Sequence, residues 1–164
     1  MPHWTITTVE RSDPAAVRDV RTLLRAYHDD LLTLVGETSL TAELTTLPAP
    51  YSRPSGVLLL ARDERGRPVG CVGVREHSPT ECEIKRLYIV PDARGAGLGR
   101  ALVRAAIDQA RAMGYREMLL VAIEGSTDAA QRIYAGFGFE RTEPFRQVTG
   151  DCGGVSILYM RRGL

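Results

Sequence analysis

With 164 residues, 44% of them hydrophobic and 25% charged, the chain has the size and composition of one soluble globular domain, able to bury roughly two-thirds of its unfolded surface. Its 21 basic residues face 20 acidic ones, and a net charge of +1 excludes a global field that would gather nucleic acid or an anionic membrane, so any anion site has to be built locally. No apolar run approaches the roughly 18–20 residues of a membrane span, the opening residues show no leader pattern, and Cys71, Cys82 and Cys152, odd in number and far apart, read as free thiols in a reducing cytoplasm with no metal site.

Residues 3–10 are β-branched and aromatic and predict a first strand. Ser12, Asp13 and Pro14 supply a helix start. Val17, Val20, Leu24, Tyr27, Leu31 and Leu34 then recur at three- and four-residue steps, marking one apolar helix face that stops at Gly36. A shorter helix over 40–47 leads into a loop at 48–56 rich in proline, glycine and serine, too short to separate two domains. Strands over 57–61 and 68–74 flank the polar turn of Asp63, Glu64, Arg65 and Gly66 as a hairpin, and a long strand follows over 81–90. Ala101, Leu102, Ala105, Ala106, Ala110 and Met113 define an amphipathic helix ending at Gly114. A buried strand at 118–123, a short helix at 127–135 and an antiparallel pair near 140–145 and 156–160 complete one mixed α/β domain over 1–164, without repeats.

Between the long strand and the amphipathic helix stands the turn Arg94, Gly95, Ala96, Gly97, Leu98, Gly99, Arg100. Alternating glycines remove the Cβ atoms that would hold a ligand off the backbone. Successive N–H groups followed by a helix N-terminus make a concave anion site that needs no surplus of lysine. Two familiar phosphate loops fail on register. A dinucleotide fingerprint begun at Gly95 meets Arg100 where glycine is required, and one begun at Gly97 meets Leu102; a Walker loop needs glycine followed by lysine and Ser or Thr, which is absent.

The pattern that fits is R-x-x-G-x-G, and here the chain resembles the GNAT superfamily of acyl-CoA N-acyltransferases. The stretch EIKRLYIVPDARGAGLGRAL over 83–102 looks like that family's strand, pyrophosphate loop and following helix, and AQRIYAGFGF over 130–139 resembles its A-x-x-[LI]-Y-x-x-x-G-F signature. ELTTLP at 43–48, Tyr51 and GCVG at 70–73 resemble a bacterial branch of unassigned substrate, so the likeness covers about 20–160. It implies an α/β fold whose mostly antiparallel central sheet is flanked by helices on both faces, with a splayed strand pair forming the acyl-CoA cleft. The implied activity is acetyl transfer from acetyl-CoA, as co-substrate, to a primary amine by direct attack in a ternary complex. No metal is implied.

The resemblance also implies roles. Arg94, Gly95, Ala96, Gly97, Gly99 and Arg100 surround the pyrophosphate, mainly through backbone N–H groups. Leu87 and Ile89 bind the acetyl carbonyl and the pantetheine arm through main-chain groups, where a donor aimed at the thioester oxygen would stabilise developing negative charge; their side chains are also core. Tyr134 matches the general acid that protonates the departing thiolate, a task a phenol performs without prior ionisation. A lysine-like amine, pKa ~10.4, must lose a proton. Glu83, eleven residues before Arg94, stands where several GNAT enzymes carry a base, and desolvation by its strand neighbours is expected to raise its pKa. Glu81 is the fallback, a water chain an alternative to both, and either carboxylate can instead pair with Lys85 or Arg86. Two positions depart from the family: Thr127 replaces a common asparagine, and Ala122 a frequent acidic residue.

The acceptor is expected to enter opposite the cofactor, with Tyr27, His28, Glu43, Tyr51, Arg53, Phe145 and Arg146 as lining candidates. Three functions stay open: transfer to a small or amino-acid-like amine, transfer to a protein or peptide, and a non-catalytic acyl-CoA sensor. Open sheet edges or the C-terminal strands offer a homodimer contact; nucleic acid and membranes are not expected partners.

Overall fold

A computed structural model describes residues 3–35, 40–124, 128–148 and 156–164. Gly36, Thr127 and Cys152 lie outside the described residues. Strand β1 (Trp4–Thr8) precedes helix α1 (Pro14–Val35), which begins as the sequence predicts. Asp13 Oδ1 accepts the Ala16 N–H at 3.0 Å, and Pro14 occupies the first turn, where its missing N–H has no helical partner to lose. Helix α2 (Leu40–Thr46) follows, then the hairpin of β2 (Val57–Asp63) and β3 (Pro68–Glu76). Gly66 adopts φ 78 in its turn, while Asp63 Oδ1 accepts the N–H groups of Arg65 and Arg67. Strand β4 (Glu81–Ile89), helix α3 (Leu98–Ala112), β5 (Glu117–Ile123), α4 (Asp128–Gly136), β6 (Glu140–Arg141) and β7 (Ile157–Gly163) complete the order.

The strands form one sheet, β1-β2-β3-β4-β5-β7-β6, antiparallel throughout except where β4 meets β5. Both faces are covered, which explains the uninterrupted apolar run of β2. Val57, Leu59 and Ala61 join a core with Leu98, Leu102, Val103, Ala106 and Ile107 of α3. Leu58 and Leu60 join a second core with Val17, Val20, Leu23 and Leu24 of α1. Each Val, Leu or Ile among them contributes about 1.5–3 kcal/mol on leaving water, before chain entropy is counted. Among the described residues no helix is long and apolar enough to cross a membrane.

One element is shorter than its sequence predicts. The pattern calls for a strand near 140–145, but β6 pairs with β7 only at Glu140–Arg161 and Arg141–Met160. Thr142 adds one bond to the Tyr159 carbonyl at 2.9 Å. Pro144 then has no N–H for a ladder, and Phe145 packs edge-on to both His77 and Tyr159.

Candidate active site

Strand β4 sets the site through a bulge and a parting. Between the pairs Cys71–Tyr88 and Gly73–Lys85, Arg86 and Leu87 stand opposite the single residue Val72. Arg86 takes φ 61, a left-handed conformation costing an L-residue roughly 1–2 kcal/mol. The bulge changes the phase of the strand. Before it, Cys82 and Ile84 face the α3 core; after it, Leu87 and Ile89 pack on that side and Tyr88 turns to the α1 core.

The parting follows. β4 and β5 pair only at Glu81–Glu117, Cys82–Met118 and Glu83–Leu119, although β4 continues to Ile89 and β5 to Ile123. Beyond Glu83 the two strands leave a slot lined by main-chain groups that have lost their ladder partner on that side. Tyr134 of α4 belongs to the core on one face of the sheet and Tyr27 of α1 packs against the core on the other.

At the far end of β4 a short 3-10 turn, Pro91–Ala93, delivers the chain into the glycine turn. Gly95 and Gly97 hold φ 81 and 92, which side chains rarely adopt, and Gly97 starts α3 with no side-chain cap on the free N–H groups. Gly99 is required for a different reason. A Cβ there would lie 2.8 Å from Ile133 Cδ1 and 3.2 Å from Ile89 Cδ1, so glycine lets α3 close on α4 and the end of β4. Arg94, Gly95, Ala96 and Gly97 are exposed, leaving an uncapped helix end with its dipole open to an anion. Arg94 Nε donates to the Ile89 carbonyl at 2.9 Å, tying the turn to the strand.

On the α1 side of β4, at the root of the slot, charged residues from four segments converge. Glu43 of α2 accepts from Tyr51 Oη at 2.7 Å and from Arg86 Nε at 2.8 Å. Glu83, 1% exposed, accepts from Arg146 Nε at 3.1 and 3.2 Å, from Arg146 Nη2 at 2.5 Å and from Arg75 Nη2 at 3.4 Å. Lys85 Nζ lies 3.8 Å from Glu43. Burial alone would raise both carboxyl groups, but the guanidinium bonds outweigh it and hold Glu43 and Glu83 below the usual carboxylate range. Burial and the neighbouring Arg86 push the Lys85 ammonium down to about 7. Gly73 makes room for the arrangement, since a Cβ there would sit 2.7 Å from the Tyr51 ring.

A family model described as the acetyltransferase (GNAT) family matches residues 19–139, most of the chain. The chain belongs to the GNAT acetyltransferase family. An uncharacterised N-acetyltransferase of Schizosaccharomyces pombe is 35% identical over 133 residues, covering 80% of this chain and 81% of that one. The IAA acetyltransferase of Azospirillum brasilense is 34% identical, covering 88% and 90%. Among solved structures, a GNAT-family acetyltransferase from Staphylococcus aureus superposes with TM-score 0.79 at 16% identity, covering 98% of this chain and 99% of that one. A phosphinothricin acetyltransferase from Sinorhizobium meliloti, solved in complex with acetyl-CoA, gives 0.73 at 22% identity, covering 98% and 88%. These two likenesses show the fold.

In this GNAT acetyltransferase the expected site residues fall into three groups. Arg94 to Gly99 form the turn at the mouth of the slot, and the Arg100 side chain leans away, over the Phe137 ring at 5.4 Å. Leu87 and Ile89 line the parted stretch of β4, with side chains in the α3 core as predicted. Tyr134 is 9% exposed and edge-on to Phe139, and burial raises its phenol above the usual value, keeping the proton on.

Glu83 departs from expectation in two respects. Its pKa is lowered, and its partners are Arg146 and Arg75 in place of Lys85 or Arg86. Glu81, one turn of the pleat earlier, pairs with Arg161 at 3.1 Å. Of the lining candidates, Glu43, Tyr51 and Arg146 join the cluster, whereas Arg53 reaches Gln109 on α3 at 2.9 Å and His28 meets Thr41 at 2.8 Å. Arg75 escaped the sequence reading. Its one signal is its place next in phase after Val72 and Val74, which puts Arg75 on the opposite face of β3, where it pairs with Glu83. Ala122 packs against the α3 core. Cys71 and Cys82 are buried and free, with thiols raised to about 12, too high for a nucleophile at neutral pH.

Proposed function

We propose that this chain transfers the acetyl group of acetyl-CoA to a primary amine of a small, amino-acid-like acceptor, by direct attack in a ternary complex. The parting of β4 from β5 beyond Glu83–Leu119, with the uncapped α3 N-terminus at its mouth, is the observation that carries this reading. It supplies main-chain donors along a slot and an anion cradle at one end, the complement of a thioester on a long pyrophosphate-bearing arm. Arg94 to Arg100 would hold the pyrophosphate, and main-chain groups of Leu87 and Ile89 the pantetheine and acetyl carbonyl.

In this reading the neutral amine attacks the carbonyl carbon. The C–N bond forms, the C–S bond breaks, the Tyr134 hydroxyl gives its proton to the leaving sulfur, and water takes the proton shed by the amine. The raised phenol pKa suits a group that must stay protonated until that moment. Glu83, ionised and saturated by guanidinium donors, enters as an anchor for Arg146 and Arg75, with the amine proton relayed through water. A homodimer through an open sheet edge, β1 or β6, belongs to the same proposal and is read by light scattering. The central test is calorimetric titration with acetyl-CoA followed by a broad amine panel, scored by release of free coenzyme A thiol. Absence of acetyl-CoA binding would sink the proposal; tight binding with no transfer to any amine would favour the sensor.

A further inference from the structure

The cluster at the root of the slot has, among the described residues, more basic than acidic side chains. Among the described residues it holds two carboxylates, Glu43 and Glu83, and four cations: Arg75 from β3, Lys85 and Arg86 from β4, and Arg146 from the segment after β6. Each carboxylate has one close guanidinium, Arg86 at 2.8 Å on Glu43 and Arg146 at 2.5 Å on Glu83. The other two cations share these same carboxylates at longer range. Arg75 reaches Glu83 at 3.4 Å and Glu43 at 4.0 Å, and Lys85 reaches Glu43 at 3.8 Å. Arg75 therefore spends one of its five N–H donors on a long bond while 29% of its side chain stays exposed. Lys85 is the enclosed member, its side chain 9% exposed and 3.8 Å from Glu43, and beside the part-exposed Arg75 it leaves room for an anion from solvent to complete the pairing.

Lys85 adds an independent observation. It is the chain's only lysine, the remainder of the 21 basic residues being arginine. An arginine here would keep its charge with the site empty, whereas an enclosed lysine can shed a proton and regain it when an anion arrives. Its surroundings agree: Glu43 from α2 and Glu83 from its own strand favour the charge, while burial, Arg86 and Arg75 oppose it more strongly. Lys85 lies two residues before Leu87 on β4, across the Arg86 bulge, so a group held by Lys85 and Arg75 neighbours the stretch proposed for the thioester carbonyl.

We propose that Arg75 and Lys85 form an anion subsite that receives a carboxylate of the acceptor, so that the substrates are amino acids in preference to simple amines. This rests on the acetyl-transfer reading above and specifies its second substrate. Recognition is by charge-assisted bonds from Arg75 donors and the Lys85 ammonium, while Glu43 and Glu83 hold Arg86 and Arg146 in place and keep those guanidinium groups off the ligand.

The test compares amino acids with their decarboxylated counterparts, such as phenylalanine with phenethylamine and 4-aminobutyrate with propylamine, in the acetyl-CoA assay. Wild type should favour the carboxylated partner of at least one pair by roughly 10- to 100-fold in kcat/KM, the range of one or two charge-assisted bonds. Arg75→Gln and Lys85→Gln should each bring that ratio towards one, and Arg75→Lys should restore part of it. Equal use of both partners, or a preference that survives both substitutions, overturns the subsite. If no amine is acetylated the transfer reading falls, and binding decides the subsite separately. In lysine-labelled protein Lys85 gives a single side-chain resonance. Butyrate, but not butanol, should raise its titration midpoint in wild type and leave it unmoved in Arg75→Gln; identical responses to the two probes refute the subsite even if Lys85→Gln fails to fold.

Discussion

Replacing Glu83 with glutamine separates its two roles, because the change removes the charge while keeping the shape. The side chain is 1% exposed and accepts three contacts from Arg146, at 2.5, 3.1 and 3.2 Å, and one from Arg75 at 3.4 Å. Glutamine retains one acceptor oxygen and turns an NH2 towards a guanidinium. Breaking a fully buried pair costs about 3–5 kcal/mol. Here Arg146 and Arg75 are 23% and 29% exposed and can turn to water, which lowers the expected loss to about 2 kcal/mol. For a domain of this size that is a fall in Tm of about 4–8 °C at pH 7. The sign follows from the lowered pKa. A depressed carboxyl stabilises the fold above its unfolded value, 4.5 here, and loses that contribution as pH falls through the folded value. The gap between wild type and variant should therefore narrow on acidification, read by calorimetry from pH 7 to 4. At saturating substrates kcat should fall less than tenfold, against roughly 10²–10⁴ for a lost general base. An unchanged Tm at pH 7, or a hundredfold loss of kcat with stability intact, would refute the anchoring role and return Glu83 to proton transfer.

Tyr134→Phe should cut kcat by roughly 10² while calorimetry finds acetyl-CoA affinity close to wild type; equal loss of both would mean the ring only packs. Gly97→Ala forces a side chain into φ 92, at roughly 1–2 kcal/mol, and should weaken acetyl-CoA binding about tenfold in the same titration. Gly73→Ala brings a methyl within 2.7 Å of the fully buried Tyr51 ring and should cost about 1–3 kcal/mol in urea unfolding. Lys85, lowered to about 7, binds fewer protons folded than unfolded, so stability should rise with pH between about 7 and 10. Lys85→Met should flatten that slope, and an identical slope in the variant would show that another group carries it.

Several features of the candidate site were legible because their signals are local. The turn at 94–99 lies between a strand and a helix whose periods are visible in the sequence, and φ 81 and 92 at Gly95 and Gly97 are what alternating glycines permit. Tyr134 stands on a helix with its own pattern, followed by the tight turn at Gly138, φ 84. The bulge was readable only in part. Cys82 and Ile84 alternate with Glu83 and Lys85, then the phase slips at Arg86, a sign that one extra residue enters the strand. Strand β6 was overestimated because the pattern near 140–145 says nothing of where Phe145 finds its aromatic partners.

By itself the sequence determined the order of elements, the faces of α1 and α3 and the glycine turn before α3, all set by periodicity, chirality and steric limits within a few residues; Leu87 and Ile89 were singled out by the family resemblance. The tertiary structure decided which charges meet. Glu43 finds Arg86 across 43 positions and Glu83 finds Arg146 across 63, and those encounters reversed the direction expected for the Glu83 pKa. Desolvation could be foreseen from a strand pattern, but it competes with Coulomb attraction and hydrogen bonds. Those depend on distances of a few ångströms between segments that only folding brings together.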